Sequence, residues 1–214
     1  MTTLYFIRHG QSEGNLYRRF LGHTDLDLSP LGYKQAELTA SFFDNIKVDA
    51  IYSSDLCRAF NTVKPIADMR GTCVIPRTRL REIASGKWEN VEFDRLKAEF
   101  EADYTVWLTD IGNAVCTEGE SVAHLQERVI AEVEAIAAAH EGQTVVIGTH
   151  ATPIRALTCH LRGLPIVEMK NIPWVANASI TKVTYDKGVG TIEQYEMVDH
   201  LGDISTSFGA NSGV

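Results

Sequence analysis

The sequence predicts an α/β fold, a three-layer αβα sandwich with a mostly parallel central sheet. Three observations carry this. Short apolar runs (Leu4-Tyr5-Phe6-Ile7, Ala50–Ser54, Cys73–Pro76 and Thr144–Thr149) alternate with stretches of helical period. The first and last of these runs exit into Arg8-His9-Gly10 and His150, a repeated pattern of apolar strand followed by imidazole. Only the last two strand-like segments, Ser179–Tyr185 and Gly190–Val198, are joined by a tight-turn signal, Asp186-Lys187-Gly188, so antiparallel pairing belongs at the end of the chain.

Each element has its own justification. Residues 1–15 open with a buried strand, and 16–28 read as loop. Ser29-Pro30 is an N-cap followed by proline at the first helical position, and Leu31, Ala36, Leu38, Phe42 and Phe43 continue the helix to about Asn45. After the strand at Ala50–Ser54, Asp55 is the expected cap of a helix reaching about Met69. Cys73–Pro76 makes a third strand, with Thr78 to Glu82 as its exit. Residues 86–118 are less periodic and are expected to form a helical insertion over one end of the sheet, with helices near 93–102 and 104–111. Val122, Leu125, Val129, Val133, Ile136 and Ala137 recur at helical spacing in a long helix from Ser121 to Ala139, closed by Gly142. Pro153 is the expected start of the next helix. The reading is one domain over 1–198, with 199–214, rich in Gly, Ser and Asn, as a mobile tail.

Composition removes several function classes. A net charge of −8 over 214 residues argues against general nucleic-acid or anionic-membrane binding and makes any cluster of arginine and histidine informative. No apolar run reaches the length of a membrane span. Cys57, Cys73, Cys116 and Cys159 form no C-x-x-C pair, and the N-terminus has no basic-then-apolar leader, so free thiols in a reducing cytoplasm are expected. The remaining histidines, His23, His124, His140, His160 and His200, show no metal-ligand spacing, and no metal site is expected.

The chemistry sits at strand exits. In open α/β sheets ligands bind beyond the carboxyl ends of parallel strands, which gather on one edge. Arg8-His9, Arg58, Glu82 and His150 all fall there. Guanidinium forks bind phosphate oxygens, an imidazole can attack or carry a proton, and a carboxyl can serve as acid and then base. A rival lies in the same stretch: Gly10-Gln11-Ser12-Glu13-Gly14 matches G-x-S-x-G, the elbow of serine hydrolases, so His9 and Ser12 both stand as nucleophiles at this point.

Arg8-His9-Gly10-Gln11-Ser12 with Asn15 resembles the signature of the histidine phosphatase superfamily, which includes the cofactor-dependent phosphoglycerate mutases. Leu28-Ser29-Pro30-Leu31-Gly32 with Gln35-Ala36, Ser53-Ser54-Asp55-Leu56-Cys57-Arg58-Ala59 with Thr62, Leu80-Arg81-Glu82-Ile83 with Gly86-Lys87-Trp88-Glu89, Gly119-Glu120-Ser121 and Thr149-His150 are similar to further family elements in the same order. The resemblance implies a phosphoglycerate mutase-like fold and a metal-independent histidine acid-type phosphatase. It would hydrolyse the phosphomonoester of a small metabolite through phosphohistidine and need no cofactor. It assigns His9 as nucleophile, Glu82 as acid then base, and Arg8, Asn15, Arg58, His150 and Ala151 to the phosphate pocket. Ala151 stands where the family usually has glycine, and Asn90 where glycine would follow the Trp-Glu pair.

The alternatives are weighed by the same residues. A serine esterase leaves Arg8 and Arg58 without a task and places its elbow after the first strand. The mutases typically carry Leu-Asn-Glu-Arg-His-Tyr-Gly where this chain has Leu80-Arg81-Glu82-Ile83-Ala84-Ser85-Gly86, which favours the phosphatase branch. A non-catalytic phospho-ligand or interaction module has no reason to keep His9, Arg58, Glu82 and His150 together. Arg18-Arg19, Lys87, Trp88 and the 86–118 insertion are expected to set selectivity, and Trp107 and Trp174 are expected in core or lid packing. Arg155, one turn into the helix after His150, is a further selectivity candidate set against the commoner reading of a surface residue. A homodimer is left open.

Overall fold

The first strand, β1 (Thr2–Arg8), is buried along its whole length apart from half-buried Thr3, so both of its faces are covered. Its side chains divide by the strand period of two. Leu4 and Phe6 enter one core, and Tyr5 and Ile7 enter the other. A chain with two such cores has helices on both faces of the sheet, which is the predicted sandwich.

The computed structural model describes residues 1–206. After β1 come α1 (Glu13–Leu16), β2 (Arg19–Phe20), α2 (Pro30–Phe42), β3 (Ala50–Ser53), α3 (Cys57–Arg70) and β4 (Val74–Pro76). The chain continues with β5 (Val91–Glu92), α4 (Phe93–Glu99), α5 (Glu101–Thr109) and α6 (Val122–Ala139), then β6 (Thr144–Thr149), α7 (Ala151–Leu161), β7 (Ile180–Asp186) and β8 (Val189–Met197). The six-stranded sheet has the order β4-β3-β6-β1-β7-β8. Its first four strands are parallel, and β7 joins β1 antiparallel with β8 outside it. The central neighbours β1 and β6 are in register from Thr3 with Thr144 to Arg8 with Thr149, so His9 and His150 leave the sheet side by side.

The larger core lies under α6 and α7. Leu125, Val129, Val133 and Ile136 of α6 and Ile154 and Leu157 of α7 pack on Phe6, Val145, Ile147 and Val183. The other core joins Ala40 and Phe43 at the end of α2 with Val63, Ile66 and Ala67 of α3, against Tyr5, Ile7, Ile51, Val146 and Ile180. Truncating one of these fully buried aromatics, such as Phe43, to alanine costs about 3–5 kcal/mol.

Several boundaries differ from the sequence reading. Asp55 does not cap α3. Leu56 holds the cap position without a side-chain bond, and the Asp55 carboxylate instead pairs with Arg81 through both oxygens, at 2.7 and 2.5 Å. Helix α7 begins at Ala151, not Pro153; a proline in the first turn is harmless because the first four N–H groups have no intrahelical acceptor. The 16–28 stretch is not all loop, because β2 pairs antiparallel with β5 as a separate two-stranded ribbon. Within the expected tail, residues 199–204 form a 3₁₀ segment with Leu201 buried, and Thr206 accepts from Gln35 Nε2 at 3.1 Å. The tail expectation for 207–214 lies outside the described residues. All four cysteines are free, with Cys116 and Cys159 buried, Cys57 half-buried and Cys73 exposed. No helix among the described residues is long and apolar enough to cross a membrane.

Candidate active site

The turn after β1 is held from three directions. The His9 N–H extends the parallel ladder to the Thr149 carbonyl at 2.9 Å, and its own carbonyl accepts from the Ala178 N–H and the Asn177 side chain. The Gly10 N–H donates to Thr62 Oγ1 at 2.9 Å, and the Gln11 N–H to Gln35 Oε1 at 2.8 Å. Two glycines bring the N-terminus of α2 onto this turn. A Cβ on Gly10 would meet the Gly32 carbonyl at 2.7 Å, and one on Gly32 would lie 2.1 Å from the Gln11 carbonyl. Only hydrogen side chains allow this approach.

His9 is oriented by its own backbone. Its Nδ1 lies 2.7 Å from the Gly10 carbonyl oxygen, an acceptor only, so Nδ1 carries the proton and Nε2 keeps its lone pair. Burial, reinforced by the charges of Arg58 and Arg8, holds the His9 pKa well below the ordinary 6.5. The ring is therefore a neutral base at physiological pH. His150 sits edge to face with it, ring centroids 5.2 Å apart, and is fully buried. His150 Nε2 lies 2.9 Å from Ser54 Oγ, while Nδ1 has no partner among the described residues. Its pKa is likewise pushed well down, first by burial and then by Arg58 and His9. His150 contacts His9 directly and lies behind the residues that line the cavity.

The cations are buried yet still charged. Arg8 is 4% and Arg58 1% exposed. Burial lowers each guanidinium to about 10, with the Glu82 carboxylate opposing the drop, so both remain protonated at neutral pH. Arg58 donates to the carbonyls of Thr24 at 2.8 Å and Gly22 at 2.7 Å, and Arg8 donates to the Val175 carbonyl. The loop that receives Arg58 is tied from the other side by Glu89, which accepts from the His23 N–H at 2.8 Å and the Thr24 N–H at 2.6 Å.

Glu82 Oε1 accepts from the Ile83 N–H at 2.8 Å, and Oε2 lies 3.3 Å from the Thr152 N–H in the first turn of α7. Its backbone is gripped by Arg128 of α6, whose guanidinium donates to the carbonyls of Arg79, Arg81 and Glu82, all at 2.8 Å, and pairs with both Glu120 oxygens. Asn15 closes the ring of polar groups. Its Oδ1 accepts from the Ser12 N–H and from Asn177 Nδ2, each at 3.1 Å, which leaves the amide NH₂ as the donor it offers to the pocket it lines. Ala151 lines the pocket too, at the N-terminus of α7, where helical backbone suits alanine as well as glycine. Asn90, in the other usual glycine place, has φ +59°, a left-handed conformation that asparagine tolerates better than most residues.

One cavity takes in Arg8, His9, Ser12, Asn15, Arg58, Glu82 and Ala151. Its remaining wall comes from Phe20, Leu21 and Gly22, which the sequence did not single out, from Phe93, Tyr104 and Trp107 of the insertion expected to set selectivity, and from Thr152 and Trp174. Arg19 is present and engaged by Asn90 and Glu92, both at 3.3 Å; Lys87 lies away, exposed and paired with Glu118, and Trp88 is fully buried behind the wall. Arg155 is no surface residue. It is 3% exposed, donates to the Ile172 and Met169 carbonyls at 2.9 Å, and stacks 3.9 Å from the centre of the Trp174 ring. The Ser12 hydroxyl is occupied as the N-cap of α1, accepting from the Asn15 N–H at 3.2 Å. Among the described residues, no group of three or more His, Cys, Asp or Glu side chains is placed to hold a metal ion.

A parallel sheet edge that gathers two neutral imidazoles, two buried guanidiniums and a carboxylate has the makings of an anion-handling enzyme centre. The chain belongs to the histidine phosphatase superfamily (branch 1), which it matches over residues 4–197. It is 32% identical over 203 residues to phosphoserine phosphatase 1 of Hydrogenobacter thermophilus, covering 95% of this chain and 96% of that one. It is also 32% identical over 187 residues to a probable phosphoglycerate mutase, GpmB, of Yersinia pestis, covering 87% and 86% of the two chains. The solved structure of Bacillus stearothermophilus YhfR superposes with a TM-score of 0.90 at 27% identity, covering 94% of this chain and all of that one.

Proposed function

We propose that this phosphatase of the histidine phosphatase superfamily hydrolyses the phosphomonoester of a small metabolite through a phosphohistidine on His9, with no metal. The observation that carries the reading is the 2.7 Å contact of His9 Nδ1 with the Gly10 carbonyl, which commits the ring proton to Nδ1, while burial and the charges of Arg58 and Arg8 keep Nε2 unprotonated. Nε2 attacks phosphorus, and the bond from phosphorus to the ester oxygen breaks. Glu82, in its protonated form, gives its proton to the departing alkoxide. The Glu82 carboxylate then takes a proton from water as that water attacks the phosphohistidine, which returns His9 and releases inorganic phosphate.

Arg8, Arg58 and the Asn15 amide hold the phosphoryl oxygens and offset their charge as the five-coordinate transition state forms. His150, uncharged beside His9, supports the nucleophile and its phosphorylated form. The mutase relative supports a second outcome, transfer of the phosphoryl group back to a phosphoglycerate instead of to water. The test is to quench the enzyme at alkaline pH during turnover of a phosphate-labelled ester. An acid-labile, base-stable label on the protein, lost in His9→Ala, and turnover that persists in excess chelator are expected. Label retained in His9→Ala, or activity that requires added divalent ion, overturns the reading.

A further inference from the structure

The wall facing the phosphate end is a box of aromatic side chains supplied by three separate parts of the chain: Phe20 of β2, then Phe93, Tyr104 and Trp107 of the 86–118 insertion, and Trp174. Phe20 meets Trp107 edge to face at 5.1 Å and Phe93 at 6.1 Å, and Trp107 meets Trp174 at 6.5 Å. The box is braced from behind. Trp88 packs against Phe20, Tyr104 and Trp107, and the Arg155 guanidinium sits 3.9 Å from the centre of the Trp174 ring while holding the carbonyls of residues 169 and 172. Aromatic pockets of this kind accept flat apolar groups, because burial and edge-to-face contact both favour them.

The charges point the same way. Arg8 and Arg58 belong to the phosphate end, and the remaining cation of the lining, Arg19, is already paired with the Glu92 carboxylate at 3.3 Å. An acidic alcohol moiety in the box would meet aromatic ring faces and the Glu82 carboxylate, and the one further arginine of the lining, Arg19, already has a carboxylate partner. Within the box the Tyr104 hydroxyl is buried without a partner among the described residues, so it is a polar group that an oxygen or nitrogen of a bound substrate would satisfy.

We propose, resting on the phosphatase reading above, that the preferred substrate is a phosphomonoester whose alcohol carries a flat aromatic group, seated among Phe20, Phe93, Tyr104, Trp107 and Trp174, and not a carboxylate. This sets the chain apart from relatives named for phosphoserine and phosphoglycerate, whose alcohols bear a carboxylate.

The test compares kcat/KM for four esters of ordinary alcohols, so that leaving-group strength does not decide the order: ethyl phosphate, 2-phenylethyl phosphate, phosphoserine and 3-phosphoglycerate. The expected result is 2-phenylethyl phosphate ahead of each of the other three by at least about tenfold. Trp174→Ala, and Trp174→Leu should the first variant not fold, are expected to lower the ratio of 2-phenylethyl to ethyl phosphate several-fold. Equal rates for 2-phenylethyl and ethyl phosphate, a ratio untouched by a folded Trp174 variant, or phosphoserine or 3-phosphoglycerate as the best substrate would overturn the proposal while leaving the phosphatase reading standing. No phosphate release from any of the four, with no labelled His9, overturns both.

Discussion

The rings of His9 and His150 lie edge to face with their centroids 5.2 Å apart, both shielded from water and both held neutral, first by that burial and then by the charge of Arg58. Their neutrality has a consequence for stability. Burial puts the folded-state pKa of each below the unfolded value of 6.5, so in the window below 6.5 the unfolded chain binds more protons than the folded one. Stability therefore rises with pH through that window and is lost as pH falls through it from 6.5 toward the folded-state values. His200, lowered mainly by burial, adds in the same direction. Urea midpoints are expected to drop between pH 7.5 and pH 5.5, and His150→Asn is expected to shrink the drop. An identical pH dependence in His150→Asn would remove this pair as its source.

A second expectation concerns Glu82. Its two oxygens are anchored by the N–H groups of Ile83 and Thr152, and it lines the cavity that holds His9. If it protonates the leaving oxygen, Glu82→Gln should slow phosphorylation of the enzyme by about a hundredfold for an alkyl phosphate. For p-nitrophenyl phosphate, whose leaving oxygen needs little proton assistance, the loss should be much smaller. Single-turnover rates are the right measurement, since the proposed mechanism gives the same carboxylate a second task, the activation of water, in the later step. Equal losses for the two esters would exclude the acid role.

Why these groups could be found from sequence is physical. Parallel strands end on a common edge, and the apolar runs before His9 and His150 have the length and β-branched content of buried strands, so their exits could be placed together without a contact being known. The aromatic box was not legible in that way. Phe20 lies in a two-residue strand whose partner is 71 positions away, too short to carry a period. Arg155 sits in a helix whose residues from Ala151 to Cys159 are all buried, so its position gives no polar face to read. Asp55 had the composition of a cap but found a stronger partner in Arg81, a bidentate pair that only tertiary proximity creates.

Arg128 is expected to act as a positioning residue for Glu82. It holds the carbonyls of residues 79, 81 and 82 and is itself pinned by Glu120, whose carboxylate also accepts from the Ala84 N–H at 3.1 Å. Burial alone would raise the Glu120 pKa, yet the Arg128 hydrogen bonds and charge outweigh it and leave the carboxyl below its ordinary value. Lysine keeps the charge but loses the fork. Arg128→Lys should therefore lower kcat for an alkyl phosphate by about tenfold while changing KM little, because a small misplacement of the acid is enough. The p-nitrophenyl ester should be less affected, the same signature as Glu82→Gln. A loss equal for both esters would make Arg128 a general support of the fold and not a support of Glu82.

Ser12 gives the sharpest discrimination against esterase chemistry. Its hydroxyl accepts from the Asn15 N–H, and Asn15 Oδ1 accepts back from the Ser12 N–H, a reciprocal cap on the four-residue helix α1. Ser12→Ala removes one half of that box and should cost about 1 kcal/mol of stability. Phosphatase activity should fall only a few-fold, through a less firmly held Asn15 amide, and the His9 phosphoenzyme should still form. A Ser12→Ala protein that folds but forms no phosphoenzyme, or a wild-type protein whose hydrolysis of p-nitrophenyl acetate vanishes with this one substitution, would move the nucleophile from His9 to Ser12.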